Sequence, residues 1–400
     1  MKEENMAGPL TGVKVLSLGR VLAGPYAAML MADMGAEVIK VEDAAKGDMA
    51  RHNGPFIGDV SSYFLSVNRG KKSLTLNLRH EKGMGLLKKL IPKMDILVEN
   101  FRPGIMKKMG LDYDTLKDLN PRLLYVSISG FGQYGDYSQR PAFDMIAQGM
   151  GGTVSITGEP GRPPVRVGYS IGDLGAALYA VTATMAALYE REKTGMGQHL
   201  DIAMLDSQIA LCENACARYF ATEKTPEPIG TRHPIVTPFQ VFPTKTDDMV
   251  VVSFKNEDWS TLCRAIGRED LKEDESFNTM EKRTTNHAKL EPLLIEIFLE
   301  KPREEWLMLF DRVGVIASPV NDIEQVVSDK HVNARDMILD VKHSRMGNMK
   351  VVGTPMKFSR TPCRIQKASP DLGEHTGKIL AEMLNLSPEE IADYKDGGII

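Results

Sequence analysis

Strand-like and helix-like stretches alternate through the first half of the chain, and that alternation limits the fold more than any other feature. Val13 to Leu18 is a short apolar strand, and Pro25 to Met34 reads as a helix whose first turn tolerates the proline. Glu37 to Glu42 is the next strand, Glu81 to Ile91 a helix, Asp95 to Val98 a third strand and Leu123 to Ile128 a fourth. Strands that alternate with helices imply right-handed crossovers, so the pattern predicts an α/β fold with a parallel sheet covered on both faces. Ligands of such sheets gather beyond the carboxyl ends of the strands. Binding residues are therefore expected just after Leu18, Val98 and Ile128.

A length of 400 residues suggests roughly two or three domains, and 42% hydrophobic with 26% charged residues permits a large core. The net charge of −4 argues against nucleic acid or an anionic membrane as the main partner. No N-terminal segment has the order of a signal peptide, and the apolar stretches read as too interrupted for a bilayer span. A cytoplasmic protein is expected. The four cysteines (Cys212, Cys216, Cys263, Cys363) form no C-x-x-C pair or zinc spacing, and the eight histidines are scattered. No metal site is expected, and His199 is given no role.

Thr222 to Pro243, rich in Pro, Thr and Glu, reads as a connection between domains. A strand (Met249 to Phe254) and helices (Asp258 to Ile266, His287 to Leu299, Arg303 to Val313) follow. Strand-like Met349 to Phe358 and a helix from about Glu374 form the tail. The expected division is residues 1–222, a small α+β domain over 223–322, and a C-terminal part over 323–400.

Asp173 ends the segment that begins at Arg166, and an apolar run from Leu174 to Tyr189 follows it. That run reads as a buried helix with Asp173 at its N-terminal end. Free backbone N–H groups and the dipole stabilise a carboxylate there, so it is expected to stay ionised at neutral pH and could serve as a nucleophile. The plain alternative is a capping residue.

Several fragments bear on that choice: Leu22-Ala23-Gly24-Pro25, Gly35 to Glu42, Asn68 to Ser73, and Glu99-Asn100-Phe101-Arg102-Pro103-Gly104. Ser129-Gly130-Phe131-Gly132, Gly172-Asp173, Lys193 to Gln198 and Leu372 to Thr376 complete the set. In this order they resemble the class III CoA-transferase family, which includes formyl-CoA transferase, carnitine CoA-transferase and racemase relatives. The resemblance runs over nearly the whole chain and is thinnest between about Glu223 and Val320. It implies a doubly wound, Rossmann-like large domain built from both chain ends, a smaller inserted domain, and an interlocked homodimer. It also implies that Asp173 attacks an acyl-CoA thioester to give an aspartyl anhydride. Released CoA thiolate then forms an aspartyl-CoA thioester, and an incoming carboxylic acid, such as a dicarboxylate, reverses the sequence. CoA is substrate here, and no permanently bound cofactor is expected.

Position by position, Gln148 and Asp144 match residues near the family's active site. Val21, Leu22 and Ala23 match its first CoA loop, Leu76 and Arg79 the second, and Asn100, Phe101 and Arg102 the third. Lys108 matches a phosphate-side cation, while Arg20 and Lys72 are nearby candidates. Asp43 stands where the family has an arginine, which leaves the adenine contacts open. The Pro238 to Thr246 region lacks the glycine-rich loop of formyl-CoA transferases, so formyl-CoA and oxalate are not the expected pair. Glycines 130, 132, 149, 151 and 152 could bring backbone N–H groups to the reacting carbonyl or could simply serve turns. Arg162, Arg166, Arg232 and His233 are candidates for gripping a second carboxylate. An acyl-CoA racemase is the alternative within the superfamily, but Phe143 stands where the racemase histidine would be, and a phenyl ring carries no proton. A nicotinamide-binding reading fails because Gly19 to Gly24 is not G-x-G-x-x-G.

Overall fold

The computed structural model describes residues 8–365 and 367–400. Two compact units form. The first takes the chain as far as Thr153, then Val167–Phe220 and Lys330–Ile400, and the second takes Val154–Arg166 and Ala221–Asp329. The units divide after Phe220 and after Asp329, where the sequence placed boundaries at 222 and 322, and the segment 154–166 joins the second unit in addition. Backbone hydrogen bonds explain this: Val165 N–H donates to Thr157 O at 2.9 Å, and Gly230 N–H to Gly158 O at 2.8 Å.

The elements of the first unit that build the site are β1 (Lys14–Ser17), α1 (Ala23–Asp33), β2 (Glu37–Glu42), α2 (Ser62–Asn68), β3 (Lys72–Thr75) and α3 (Glu81–Leu90). They continue with β4 (Ile96–Glu99), β5 (Leu124–Ser129), α4 (Asp144–Met150), α5 (Ile171–Thr194), β6 (His199–Ala203) and α6 (Thr376–Leu384). The six strands form one parallel sheet in the order β3-β2-β1-β4-β5-β6. The winding direction reverses between β1 and β4, and that switch point is where such sheets open a crevice. Edge strands β3 and β6 were not foreseen: one is four residues long and begins at Lys72, and the other begins at the polar His199.

Successive strand residues point to opposite faces. Val15, Val38, Ile96 and Val126 join α1 and α5 in one core, while Leu16, Ile39, Leu97 and Tyr125 join α3 and α6 in the other. The chain's end returns to the sheet. Thr75 N–H donates to the Thr376 hydroxyl at 3.0 Å, and Asn77 N–H to Ile399 O at 2.8 Å. Helix α5 is long and apolar enough to cross a membrane by length and composition, although the apolar stretches of the sequence read as too interrupted for a span. Its small residues Ala176, Ala177 and Ala180 are buried in the core that includes α1, the setting of a core helix.

The second unit pairs three antiparallel strands, Phe239–Phe242, Met249–Val252 and Ile316–Pro319, with the middle segment at the centre. Helices Asn256–Ala265, His287–Phe298 and Arg303–Val313 cover them around Trp259, Phe298, Trp306 and Phe310. This is a mixed α/β unit with its own core.

Candidate active site

Two adjoining cavities lie at the carboxyl ends of β1, β2 and β4. The larger, about 500 Å3, is lined by Leu18, Val41, Leu76, Leu78, Ile105 and Met109, with Arg20, Asp43, Arg79 and Arg102 among its polar residues. The smaller, about 190 Å3, holds Val21, Leu22, Ala23, Asn100, Gly130, Phe143 and Asp173. Arg20, Phe101 and Arg102 line both, so one groove leads from Arg79 to the Asp173 carboxylate. Apolar walls with arginines at the rim suit a base and its phosphates, since charge-assisted bonds to phosphate are the strong ones.

The groove's first loop is braced from beneath. Val21 is held at φ +64, a conformation L residues rarely adopt, and its N–H donates to Asp48 Oδ1 at 3.1 Å. Lys40 Nζ donates to Asp48 Oδ2 at 2.6 Å and to Gly19 O at 2.8 Å, with both side chains buried. Burial would push the Asp48 carboxyl up, but Lys40 and the N–H groups of Ala50 and Val21 outweigh it and hold it below its usual value. Asn100 zips the first loop to the third by accepting from Arg20 N–H at 2.8 Å and donating to Arg20 O at 2.9 Å. The Arg20 guanidinium lies 4.7 Å over the Phe101 ring.

Asp173 is the third residue of α5, one turn past the Ser170 cap, so capping is not its role. Burial, and then the neighbouring Asp144, push its carboxyl up to about 7, while the Ala23 backbone N–H acts in the opposite direction. The expectation of a fully ionised group at neutral pH is thereby corrected, because desolvation and a like charge outweigh the helix terminus. Asp144 opens α4. Its Oδ1 accepts from Gly172 N–H at 2.8 Å, and its Oδ2 accepts from Gln148 Nε2 at 2.7 Å. Gln148 is fully buried, and its Oε1 accepts from Val167 N–H at 3.1 Å. A Cβ at Gly172 would fall 2.9 Å from Asp144 Oδ1, so only glycine permits this clamp.

Most residues matched from sequence meet in the groove: Val21, Leu22, Ala23, Leu76, Arg79, Asn100, Phe101, Arg102 and Asp173. Asp144 and Gln148 stand just behind it. Lys108 does not line it. Ile105 and Met109, four apart, turn one face of their short helix to the groove, and Lys108 is left exposed. Lys72 is likewise elsewhere, paired with Glu37 on the sheet edge. Asp43 does line the larger cavity. Its carboxylate accepts from Lys46 N–H at 2.9 Å and Ala45 N–H at 3.0 Å, which hold it below its usual value with help from Arg79 and Arg20. Of the glycines, Gly130 serves close packing, since a Cβ there would sit 2.2 Å from Ala142 Cβ. Gly151 does the same against Gln208. Arg162, Arg166, Arg232 and His233 all belong to the second unit.

Two further residues went unforeseen. Burial, then Asp173, Asp48 and Asp144, push the Tyr63 hydroxyl up to about 12, so a protonated phenol stands in the field of these acids. Arg140 lines the smaller cavity. Neither carries a sequence signal, because both sit in segments whose folding alone brings them here.

Comparison with known proteins shows the family. The family model described as CoA-transferase family III matches residues 10–376. The human succinyl-CoA:glutarate CoA-transferase is 37% identical over 397 residues, covering 99% of this chain and 91% of that protein. An acetyl-CoA:oxalate CoA-transferase from Acetobacter aceti is 37% identical over 353 residues, 88% of this chain and 90% of its own length. The crystal structure of a CAIB/BAIF family protein from Brucella suis superimposes with a TM-score of 0.85 at 36% identity, covering 94% of this chain and 100% of that one. The chain belongs to CoA-transferase family III, and it is a CoA-transferase that acts on acyl-CoA thioesters.

Proposed function

We propose that the protein moves CoA from a dicarboxylic acyl-CoA, with succinyl-CoA the favoured donor, to a free dicarboxylic acid through covalent intermediates on Asp173. The observation that carries this reading is the Asp173 carboxylate at the inner end of a groove whose other end suits a nucleotide. An Asp173 oxygen attacks the thioester carbonyl and CoA leaves as thiolate, giving a mixed anhydride. The thiolate attacks the aspartyl carbonyl and expels the donor acid, and the acceptor carboxylate then runs both steps in reverse. A carboxyl raised to about 7 is partly ionised at neutral pH and is a stronger base than an ordinary aspartate. The groove positions the thioester, and the Ala23 N–H steadies the carboxylate.

The dicarboxylate class rests on the relatives, whose named acids, glutarate and oxalate, both carry two carboxylates. The oxalate relative returns that acid to consideration despite the missing glycine-rich loop. Racemisation has no support, since Phe143 lines the cleft where a proton carrier would be needed. A homodimer is supported by apolar side chains exposed on neighbouring helices of the first unit, including Met145, Ile146, Leu178, Tyr179 and Ile209. Four thiols outside any disulfide suit a reducing compartment such as the cytoplasm.

The test is to incubate the protein with succinyl-CoA and a panel of mono- and dicarboxylic acids, oxalate and glutarate included, and to identify new thioesters by mass. New dicarboxylyl-CoA products are expected. Loss of an α-deuteron from labelled acyl-CoA without new thioesters would favour racemisation instead.

A further inference from the structure

We propose that Arg140 is the specificity-determining residue that grips the distal carboxylate of the transferred acid, an inference that rests on the transferase reading above. Three arginines line the cavity that holds Asp173: Arg20, Arg102 and Arg140. Arg20 and Arg102 also line the larger cavity, on the side suited to the coenzyme, whereas Arg140 lines only the cavity of the nucleophile.

Arg140 is solvent-exposed, and its side chain is held from one face. The guanidinium lies 4.0 Å from the centre of the Tyr137 ring, and Tyr137 in turn meets Phe131 edge-on at 5.9 Å. Stacking on one face steadies the side chain while leaving the N–H edge to fork a carboxylate. Arg140 N–H donates to Tyr137 O at 2.8 Å, closing the turn that carries it. The following residues are pinned to the end of β5 by the close approach of Ala142 to Gly130. Among the described residues, no carboxylate forms an ion pair with Arg140.

Leu22, Ile128, Pro141, Ala142, Phe143 and Met204 line the same cavity and give it apolar walls. A dicarboxylic acid has the matching pattern: one carboxylate to react at Asp173, an apolar spacer, and one carboxylate for Arg140. Donor and acceptor would use the grip in turn, because each occupies the acyl position in its own half of the exchange.

The test compares wild type, Arg140→Gln and Arg140→Lys, with succinyl-CoA as donor and glutarate or pentanoate, acids of equal chain length, as acceptors. The reading is the ratio of kcat/KM for glutarate to that for pentanoate. Loss of a charged fork predicts a 10- to 100-fold fall in that ratio for Arg140→Gln, carried mainly by the KM for glutarate, with partial recovery in Arg140→Lys. An unchanged ratio, or equal losses on both acids, overturns the assignment. Wild type that transfers CoA yet shows no preference for glutarate overturns the Arg140 proposal alone. Wild type that transfers CoA to neither acid overturns the proposed succinyl-CoA and dicarboxylate reading, and Arg140's role with it.

Discussion

The Asp144 carboxylate accepts the Gly172 N–H at 2.8 Å, one residue before Asp173, and so fixes the first turn of α5 while placing a negative charge beside the nucleophile. One side chain thereby helps to fix the position of Asp173 and adds to the rise in basicity that burial begins.

The wild-type enzyme is expected to gain kcat/KM as pH rises through about 7, because attack needs the ionised Asp173. Asp144→Asn removes the like charge and keeps an acceptor for Gly172, so the acid limb should move to lower pH. It also turns an amide toward Gln148 Nε2, at a stability cost of about 1–3 kcal/mol. Rate against pH for both proteins checks this, and an unmoved limb would show that Asp144 does not tune the nucleophile.

Stability should respond to the same group. The folded-state pKa of Asp173 lies above the unfolded value of about 3.9, so the folded protein binds more protons between about pH 4 and 7. Stability is therefore lost as pH rises through that window. Asp173→Asn should abolish transfer yet melt higher than wild type at pH 8, with the gap closing toward pH 4. Thermal melts across this range provide the measurement.

Breaking the brace under the first loop should damage both folding and binding. Asp48→Ala leaves the buried Lys40 ammonium without its carboxylate and frees the Val21 N–H. Removing one partner of a buried pair costs about 3–5 kcal/mol. Urea unfolding should show that loss, and KM for the acyl-CoA should rise in the folded fraction. An unaltered KM would mean that the loop holds its shape without Asp48.

The apolar helix surface predicts association. Leu178, 53% exposed on α5, would be covered in a homodimer, so Leu178→Asp should shift the species measured by light scattering from dimer toward monomer. A wild-type monomer at micromolar concentration would contradict the homodimer.

Much of the sheet was legible because its inner strands are apolar runs, and β2 was read to the residue as Glu37–Glu42. Lys40 within that strand was given no role from the sequence, yet as a buried cation flanked by Ile39 and Val41 it must have a partner. What could not be read is which residue supplies it, since Asp48 lies outside the strand, eight residues on, at the cap of a short 3-10 turn. The Asn68 to Ser73 fragment, noticed through resemblance, is largely structural. Arg69 bonds Asp33 at 3.0 and 2.6 Å, and the buried Lys71 ammonium donates to Pro25 O, Val67 O and Asn68 Oδ1. Asp173 was found from its place before an apolar helix, but its raised pKa was not, because it comes first from burial in the folded unit and then from Asp144 on a separate helix. Tyr63 and Arg140 reach the site only through tertiary folding.

Covalent catalysis is tested most directly by trapping. The enzyme is mixed with succinyl-CoA, quenched with hydroxylamine during turnover, digested and analysed by mass spectrometry. A hydroxamate at Asp173, absent without the acyl-CoA, is the expected result. An unmodified Asp173 peptide from enzyme that is turning over would contradict the aspartyl intermediates.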